Sequence, residues 1–304
     1  LDEWTLLRKI WGAALGTSNN SNDQIGNVPE WNKIYSHYSQ RMELEGQMPS
    51  NIFKEAMHEK HLRILKSWEK QLTESLNISW SALQKNIYKF HFGPLKKSFF
   101  NSGKSDYDIL RPSILIESMT DTPSELNNSN IKIQGSTEWW YTDKQDNWYV
   151  IYLSEKNSKE KTWLRHFLDL LILQLAKVFS DKAKVTGICI SPEGEIKLKE
   201  IKIPSIKQSK EYLLNLVKDI NSVNAAEFLP VESVIELSKE NLDEENYNKR
   251  FYNWVEDKLN STEEYVDISS KFGPVNFFED LTYPENPYQI MNRRFQLFFN
   301  TILN

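Results

Sequence analysis

The chain has 304 residues, of which 39% are apolar and 26% are charged, and it contains ten tryptophans and ten glycines. These values exclude a disordered or collagen-like chain and are typical of a globular protein with one large domain or two. The net charge of −5 argues against a free-standing DNA-binding protein, which usually has a basic face, although a local patch could still contact DNA.

The cysteine content and the length of the apolar segments indicate the compartment in which the protein is expected to work. A single cysteine, Cys189, excludes an intrachain disulfide and a cysteine zinc site, and it favours a reducing cytoplasm. Polar residues interrupt even the most apolar segment, so no stretch reaches membrane-spanning length. The sequence shows no signal peptide and begins at Leu1 without a methionine, so we expect a piece of a longer protein.

The first 76 residues are predicted to be helical throughout. Apolar side chains recur three or four residues apart in residues 2–15, after Pro29, and again from Ser50 onward. Gly16 is a suitable end for the first helix, and Ser50 is a suitable N-cap for the third. We therefore assign residues 1–76 to a helical arm.

Residues 77–236 are predicted to form an α/β core. A strand over residues 131–141, a polar turn and a second strand over residues 148–153 form a hairpin, which leads into an apolar helix over residues 163–179. A second hairpin is predicted over residues 185–203. The central helix is apolar nearly all round, which favours a buried position.

The remaining segments are shorter or less regular. Residues 87–92 and 113–119 are predicted to be strands, and residues 120–130 a polar connection. Two amphipathic helices within residues 237–304 are predicted to pack on the core as a C-terminal tail. The expected order is helical arm, mixed α/β core and helical tail.

One motif has part of a phosphate-binding loop. Gly103-Lys104-Ser105 has the right ending, but Ser98 stands where the loop needs its first glycine. The loop also needs a preceding buried strand, and the polar residues before it do not form one. We interpret this segment as a surface loop and predict no ATP site.

Two histidines, His58 and His61, lie on the predicted third helix. A zinc-protease helix needs histidines four residues apart with a glutamate directly after the first, and here they are three apart. We interpret them as solvated histidines on a charged helix face.

Three residues of the central hairpin carry the main functional hypothesis. Glu138 lies on the first strand, and Tyr152 and Ser154 lie two residues apart at the end of the second, so they share one face. This layout resembles the PD-(D/E)XK nucleases of the restriction-endonuclease-like fold. In that class an acid on the first strand holds a divalent metal, and an acid and a lysine on the second bind metal and activate water.

The resemblance implies that this site is degenerate. Tyr152 stands where the second acid belongs and Ser154 where the lysine belongs, so we predict no catalytic residue, no metal and no cofactor. The alternative is an active metal-dependent nuclease with Glu138 and Glu155 as ligands. Glu155 and Lys156 are adjacent, so on a strand they would point to opposite faces.

Several short motifs occur along the chain in a fixed order. They are Gly46-Gln47-Met48-Pro49 before a long helix, Ile133-Gln134-Gly135, Trp163-Leu164-Arg165-His166-Phe167, Phe228-Leu229-Pro230 and Pro287-Tyr288-Gln289. Their order and spacing resemble the C-terminal domain of the RecC family, the gamma subunits of exodeoxyribonuclease V. Asn51 replaces a glycine of the family pattern, Met48 and Phe167 replace leucines, and residues 78–115 depart from it as an insertion.

The resemblance implies a role without an activity. RecC subunits have the folds of a helicase and a nuclease and have lost both activities within an ATP-dependent helicase–nuclease complex. It implies RecB-like and RecD-like partners, DNA ends and separated strands as ligands, and double-strand break repair as the process. The helicase-like portion that reads the Chi sequence is not in these 304 residues.

Possible DNA contacts are predicted from the residues alone. Trp139, Trp140 and Lys144 lie around the hairpin turn, where the rings could stack on bases and the lysine could bind phosphate. The alternative is that both tryptophans belong to the core. A further possibility is a stand-alone interaction module with no DNA role.

Overall fold

The structure is a computed structural model. It describes residues 3–16, 29–44, 52–92, 108–111, 114–116, 131–133, 135–143, 145–154, 162–220, 229–260 and 285–303. The chain divides into two compact units. The first comprises Leu1–Lys159 and Ala176–Ile203, and the second comprises Glu160–Leu175 and Pro204–Asn304. Each unit groups residues that lie close together in space. The predicted division into three segments, with boundaries after residues 76 and 236, stays a prediction.

The first unit begins with four helices. They are α1 (Glu3–Gly16), α2 (Trp31–Leu44), α3 (Ile52–Leu76) and α4 (Trp80–Asn86). A cluster of tryptophans joins them, because the ring of Trp11 on α1 contacts one tryptophan from each of the other three helices. Its ring centroid lies 5.6 Å from that of Trp31, 6.4 Å from Trp68 and 5.0 Å from Trp80. Such pairs stabilise the junction beyond simple burial of their area.

A six-stranded mixed sheet follows. Its strands are β1 (Ile87–Phe92), β2 (Asp108–Arg111), β5 (Gly135–Thr142), β6 (Asn147–Leu153), β7 (Lys184–Ile190) and β8 (Ile196–Ile201), in the order β2-β1-β5-β6-β7-β8. The β1–β2 and β6–β7 pairs are parallel and the others antiparallel. The predicted mixed α/β class is therefore confirmed. Burial on both faces of β6 follows from its central place in the sheet.

The predicted strand over residues 131–141 is two strands. β4 (Ile131–Ile133) pairs with β3 (Ile114–Ile116) in a separate two-stranded sheet, and β5 begins at Gly135 in the large sheet. Gly135 has a φ of 147°, which glycine adopts easily and other residues rarely do. The alternating pattern could not reveal this break, because both strands have the same period.

One hydrophobic core joins the helices and the sheet within the first unit. It contains Trp11, Leu65 and Trp68 from the helices together with Ile151 and Ile188 from β6 and β7. Trp68 also donates its indole N–H to the Ser191 carbonyl, 3.1 Å away, just beyond β7. The helical segment therefore covers one face of the sheet and does not stand apart from it.

The second unit is helical in the residues that the structure describes. Its helices are α5 (Thr162–Leu175), α6 (Ile206–Ile220), α7 (Val231–Ser238), α8 (Glu244–Asn260) and α9 (Pro287–Phe298). Three of these helices are capped at their N-termini by a polar side chain that accepts a backbone N–H of the first turn. The capping residues are Ser205 for α6, Asp243 for α8 and Asn286 for α9. Phe167 on α5 packs edge-on against Tyr212 and Phe298, which ties three of the helices together.

The central apolar helix is shorter than predicted. It ends at Leu175, and Lys177 takes a left-handed φ of 54° that stops it, whereas the apolar pattern extends to residue 179. Phe179 then packs against Trp140 and Trp148 of the first unit. Among the described helices, none combines the length and apolar character needed to cross a membrane.

Candidate functional site

The hairpin between β5 and β6 is built by two aspartates. Asp143 Oδ1 accepts the backbone N–H groups of Gln145 and Asn147 at 2.8 and 2.9 Å. Burial raises the pKa of Asp143, but hydrogen bonds from the Asn147 side chain and from these two backbone groups outweigh it and lower the pKa below its usual range. Asp146 has a φ of 62° and accepts the indole N–H of Trp148 at 2.7 Å. Both aspartates therefore have structural roles in the turn.

The first two residues of the predicted site lie next to the last residue pair of the β5–β6 ladder. That pair is Trp139 with Ile151, and the pairing of β1 with β5 shifts register between Ser136 and Trp139, across Thr137 and Glu138. A bulge of this kind locally interrupts the alternation of side chains along a strand. Glu138 and Tyr152 are both half-buried.

Ser154 lies at the end of the same strand but is enclosed. Its backbone N–H donates to the Ile190 carbonyl at 2.9 Å, which extends the β6–β7 pairing by one residue. Its side chain is buried. A lysine at this position would have to bring a charged group to a place that now holds a small, covered hydroxyl.

The sequence did not reveal a fourth residue at this strand end, Arg8 of α1. Its Nε donates to the Leu153 carbonyl at 3.1 Å, and its guanidinium carbon lies 5.5 Å from the centroid of the Tyr152 ring. The two contacting segments are 145 residues apart in sequence, and Arg8 has the pattern of an ordinary polar residue of an amphipathic helix. No local signal could have predicted the contact.

These residues do not fit a divalent metal ion of the kind that active PD-(D/E)XK nucleases hold. Magnesium prefers carboxylate and other oxygen ligands, and here the only carboxylate of the three predicted positions is that of Glu138. A guanidinium, that of Arg8, lies beside Tyr152 at this strand end. In the ranges that the structure describes, no group of three or more His, Cys, Asp or Glu side chains could hold a metal.

The structure separates the two tryptophans that were predicted to contact DNA. Trp140 is fully buried and its ring centroid lies 5.6 Å from that of Phe179, so the ring has no free face for a base. Trp140 belongs to the core, which corrects its assignment as a DNA contact. Lys144 lies outside the described residues.

Trp139 is half-buried on the other face of β5. The Lys89 ammonium lies 5.6 Å from the centroid of its ring, and α1 passes close to it at Gly12. A β-carbon at Gly12 would lie 3.2 Å from Trp139 Cζ2, so the absence of a side chain there allows the helix to approach the ring. The Lys89 ammonium therefore already contacts the π-system of Trp139 on which a base would stack.

The histidines of α3 are not both solvated, contrary to the interpretation of the sequence. His61 is fully buried, its Nδ1 lies 2.8 Å from the Tyr35 hydroxyl, and its Nε2 lies 2.9 Å from Glu3 Oε1. The ring of His58 stacks on Tyr35 with centroids 4.6 Å apart. Lys60 Nζ lies 2.6 Å from the same Glu3 oxygen. Helical spacing did predict that the two histidines share one side of α3.

The sequence was also compared with protein families and with curated proteins. No protein-family model matches the sequence, and no curated protein matches it. The likeness to the RecC family rests on the short motifs named above, and what it implies for function is a proposal.

Proposed function

We propose that this chain is a non-catalytic domain of a RecC-like subunit of an exodeoxyribonuclease V complex. In this role it holds RecB-like and RecD-like subunits together and helps to guide separated DNA strands during double-strand break repair. Its α/β core is of the restriction-endonuclease-like type with a degenerate active site, and it works in the cytoplasm.

The strand end of β6 is the observation that carries the proposal. Glu138 is the one acid left at the positions that active nucleases use, while Tyr152 and the buried Ser154 supply neither a carboxylate nor an amine. Arg8 occupies the same strand end with a cation. Catalysis by this class needs a divalent ion that generates the attacking hydroxide, so these residues favour an inactive site.

The order of the elements supports the same proposal. A hairpin of β5 and β6 is followed in sequence by α5 and by β7, which pairs in parallel with β6. A parallel pair needs a crossover connection, which here contains a helix. A hairpin that carries an acid and leads into a helix is the layout that the resemblance implies.

A nuclease assay tests the inactive site. We expect the purified chain of 304 residues to cleave neither linear duplex nor single-stranded DNA with Mg²⁺ or Mn²⁺, and Glu138→Ala to behave like the wild type. Cleavage that Glu138→Ala abolishes would contradict the proposal and establish the alternative, an active metal-dependent nuclease.

Capture of a partner tests the scaffold role. We expect the immobilised chain to retain the RecB-like protein encoded in the same genome, and an unrelated acidic protein of similar size to retain none. Gene context gives a second test, since about two further domains of helicase-like size are expected upstream in the same coding sequence. Failure of capture together with an upstream sequence lacking such domains would contradict the assignment.

A further inference from the structure

We propose that the outer edge of β8 is a docking site for an extended segment of a partner protein in which an apolar residue stands between two acidic residues. The segment adds to the six-stranded sheet as a further strand beside β8. The inference goes beyond the proposed function and does not depend on it, because it rests on the sheet edge alone.

The edge of β8 is open among the strands that the structure describes. β8 is the last strand of the large sheet and pairs there with β7 alone. It has six residues and no proline, and its Leu198 side chain is 60% exposed. The outward backbone groups of such a strand are a template for pairing with another extended chain.

One hydrogen bond shows which backbone groups of β8 point outward. The Ser191 N–H, just after β7, donates to the Glu195 carbonyl, just before β8, at 2.9 Å. Along an antiparallel pair, the backbone groups of successive residues point alternately toward the partner strand and away from it. The N–H and C=O groups of Ile196, Leu198 and Glu200 are therefore directed away from β7.

The side chains of this edge set the chemistry of the added strand. Lys197 and Lys199 project from one face of the sheet, and Leu198 between them projects from the other. In an antiparallel addition, Leu198 forms a hydrogen-bonded pair and the lysines form the closer, non-hydrogen-bonded pairs. Opposite charges and paired apolar side chains at such positions stabilise a sheet, so acidic residues fit opposite the lysines and an apolar one opposite Leu198.

A second copy of this chain does not fit the edge, because outward backbone groups must meet outward backbone groups. Pairing Leu198 with Leu198 of a second copy sets Lys197 opposite Lys199. Pairing Leu198 with Ile196 or Glu200 of that copy sets a lysine opposite itself. Like charges directly opposite each other destabilise a strand pair. The lysines thus act against self-association, and they favour an acidic strand instead.

Fluorescence anisotropy with two labelled peptides tests the site on the chain of 304 residues. The acidic peptide is Thr-Thr-Glu-Val-Glu-Thr-Thr, and the basic peptide has lysine in place of both glutamates. We expect the wild type to bind the acidic peptide at least about fivefold more tightly than the basic one, with a preference that weakens as salt is added. Lys199→Glu should remove the preference, because each peptide then meets one like and one opposite charge.

Leu198→Pro separates strand addition from charge attraction alone. It deletes an outward N–H and keeps the backbone groups that face β7, and an edge strand tolerates proline at such a position. We expect Leu198→Pro to lose binding of the acidic peptide and Leu198→Ala to keep the preference for it. Circular dichroism checks the fold of both variants. N-methylation of the valine in the acidic peptide removes the facing hydrogen bond from the other side, and we expect it to abolish binding even if Leu198→Pro does not fold.

Lys9→Glu on α1 is the matched control, because Lys9 is exposed and the change in charge is the same. It should leave the preference for the acidic peptide unchanged. The inference is overturned if the wild type binds neither peptide or binds both equally, or if Lys9→Glu acts like Lys199→Glu. It is also overturned if the N-methylated peptide, or folded Leu198→Pro, binds as tightly as the original pair. The lysines would then form a cationic patch that attracts acidic chains or nucleic acid without strand addition.

Discussion

The hydrogen bonds of the buried His61 side chain depend on its protonation state. A carboxylate can only accept hydrogen bonds, so His61 Nε2 carries the proton that is donated to Glu3. In the neutral ring Nδ1 then accepts from the Tyr35 hydroxyl. Burial lowers the pKa of His61, and the hydrogen bond to Glu3 offsets this only in part. The neutral form therefore fits the site, and protonation would remove the acceptor that Tyr35 uses.

The free energy of unfolding should fall as the pH drops below 6.5, the ordinary pKa of histidine. The lowered pKa of His61 means that the unfolded chain binds a proton in this range and the folded chain does not. Stability is then lost on acidification, by at most about 1.4 kcal/mol per pH unit for one proton. Glu3 acts with the same sign only below 4.5, because hydrogen bonds from Lys60 and His61 outweigh its burial and lower its pKa.

Urea unfolding between pH 5 and 7.5, followed by tryptophan fluorescence, measures this dependence. His61→Gln should flatten the slope of stability against pH, whatever its effect on stability at pH 7.5. His37→Gln, at an exposed histidine of α2, is measured alongside as the control substitution. An unchanged slope in His61→Gln would show that another group causes the acid sensitivity.

At the scale of elements, the β7–β8 turn is fitted closely against α3. Gly194 has a φ of 88°, and a β-carbon there would lie 2.6 Å from the Ser67 hydroxyl oxygen. The turn is also held by hydrogen bonds from the Gly194 N–H to the Ser191 carbonyl and from the Ser191 N–H to the Glu195 carbonyl. Glycine is needed here both for its backbone conformation and for the space beside α3.

Gly194→Ala should destabilise the chain by about 1–3 kcal/mol, because it combines a strained φ with an overlap at Ser67. Glu193→Ala, an exposed change in the same turn, should stay within about 0.5 kcal/mol of the wild type. Urea unfolding measures both. Ser67→Ala should recover part of the loss in the Gly194→Ala background, and no recovery would mean that the backbone conformation alone is responsible.

At the scale of the first unit, helices and strands stabilise one another through a single core. Leu65 on α3 is fully buried in the same cluster as Ile151 and Ile188 of the sheet. Eight of the ten tryptophans also belong to this unit. A core shared in this way should unfold as one cooperative body.

Leu65→Ala should therefore cost about 2–5 kcal/mol and should weaken the sheet as well as α3. Hydrogen exchange is the suitable measurement, with faster exchange expected in β6 and β7 by the same factor as in α3. Leu198→Ala, at a side chain that is 60% exposed, is the control and should change neither. Faster exchange confined to α3 would show that the helices fold independently of the sheet.

The sequence by itself determined most of the elements, because their signals are local. Apolar periodicity predicted the first three helices within a few residues of their bounds, and alternation with aromatic runs predicted β1, β6 and the β7–β8 hairpin. Local pattern could not show that residues 131–141 divide between two sheets. That division depends on which strands pair, and pairing joins segments far apart in the chain.

The candidate site likewise has some features that the sequence predicted and others that only the tertiary structure showed. Strand alternation predicts that Tyr152 and Ser154 share a face, since side-chain direction on a strand has a fixed period of two. Only the tertiary structure placed Arg8 at the end of β6, Trp140 in the core and His61 between Tyr35 and Glu3. Each of these depends on packing between distant elements, which decides whether a polar or aromatic residue meets solvent, another ring or a charge.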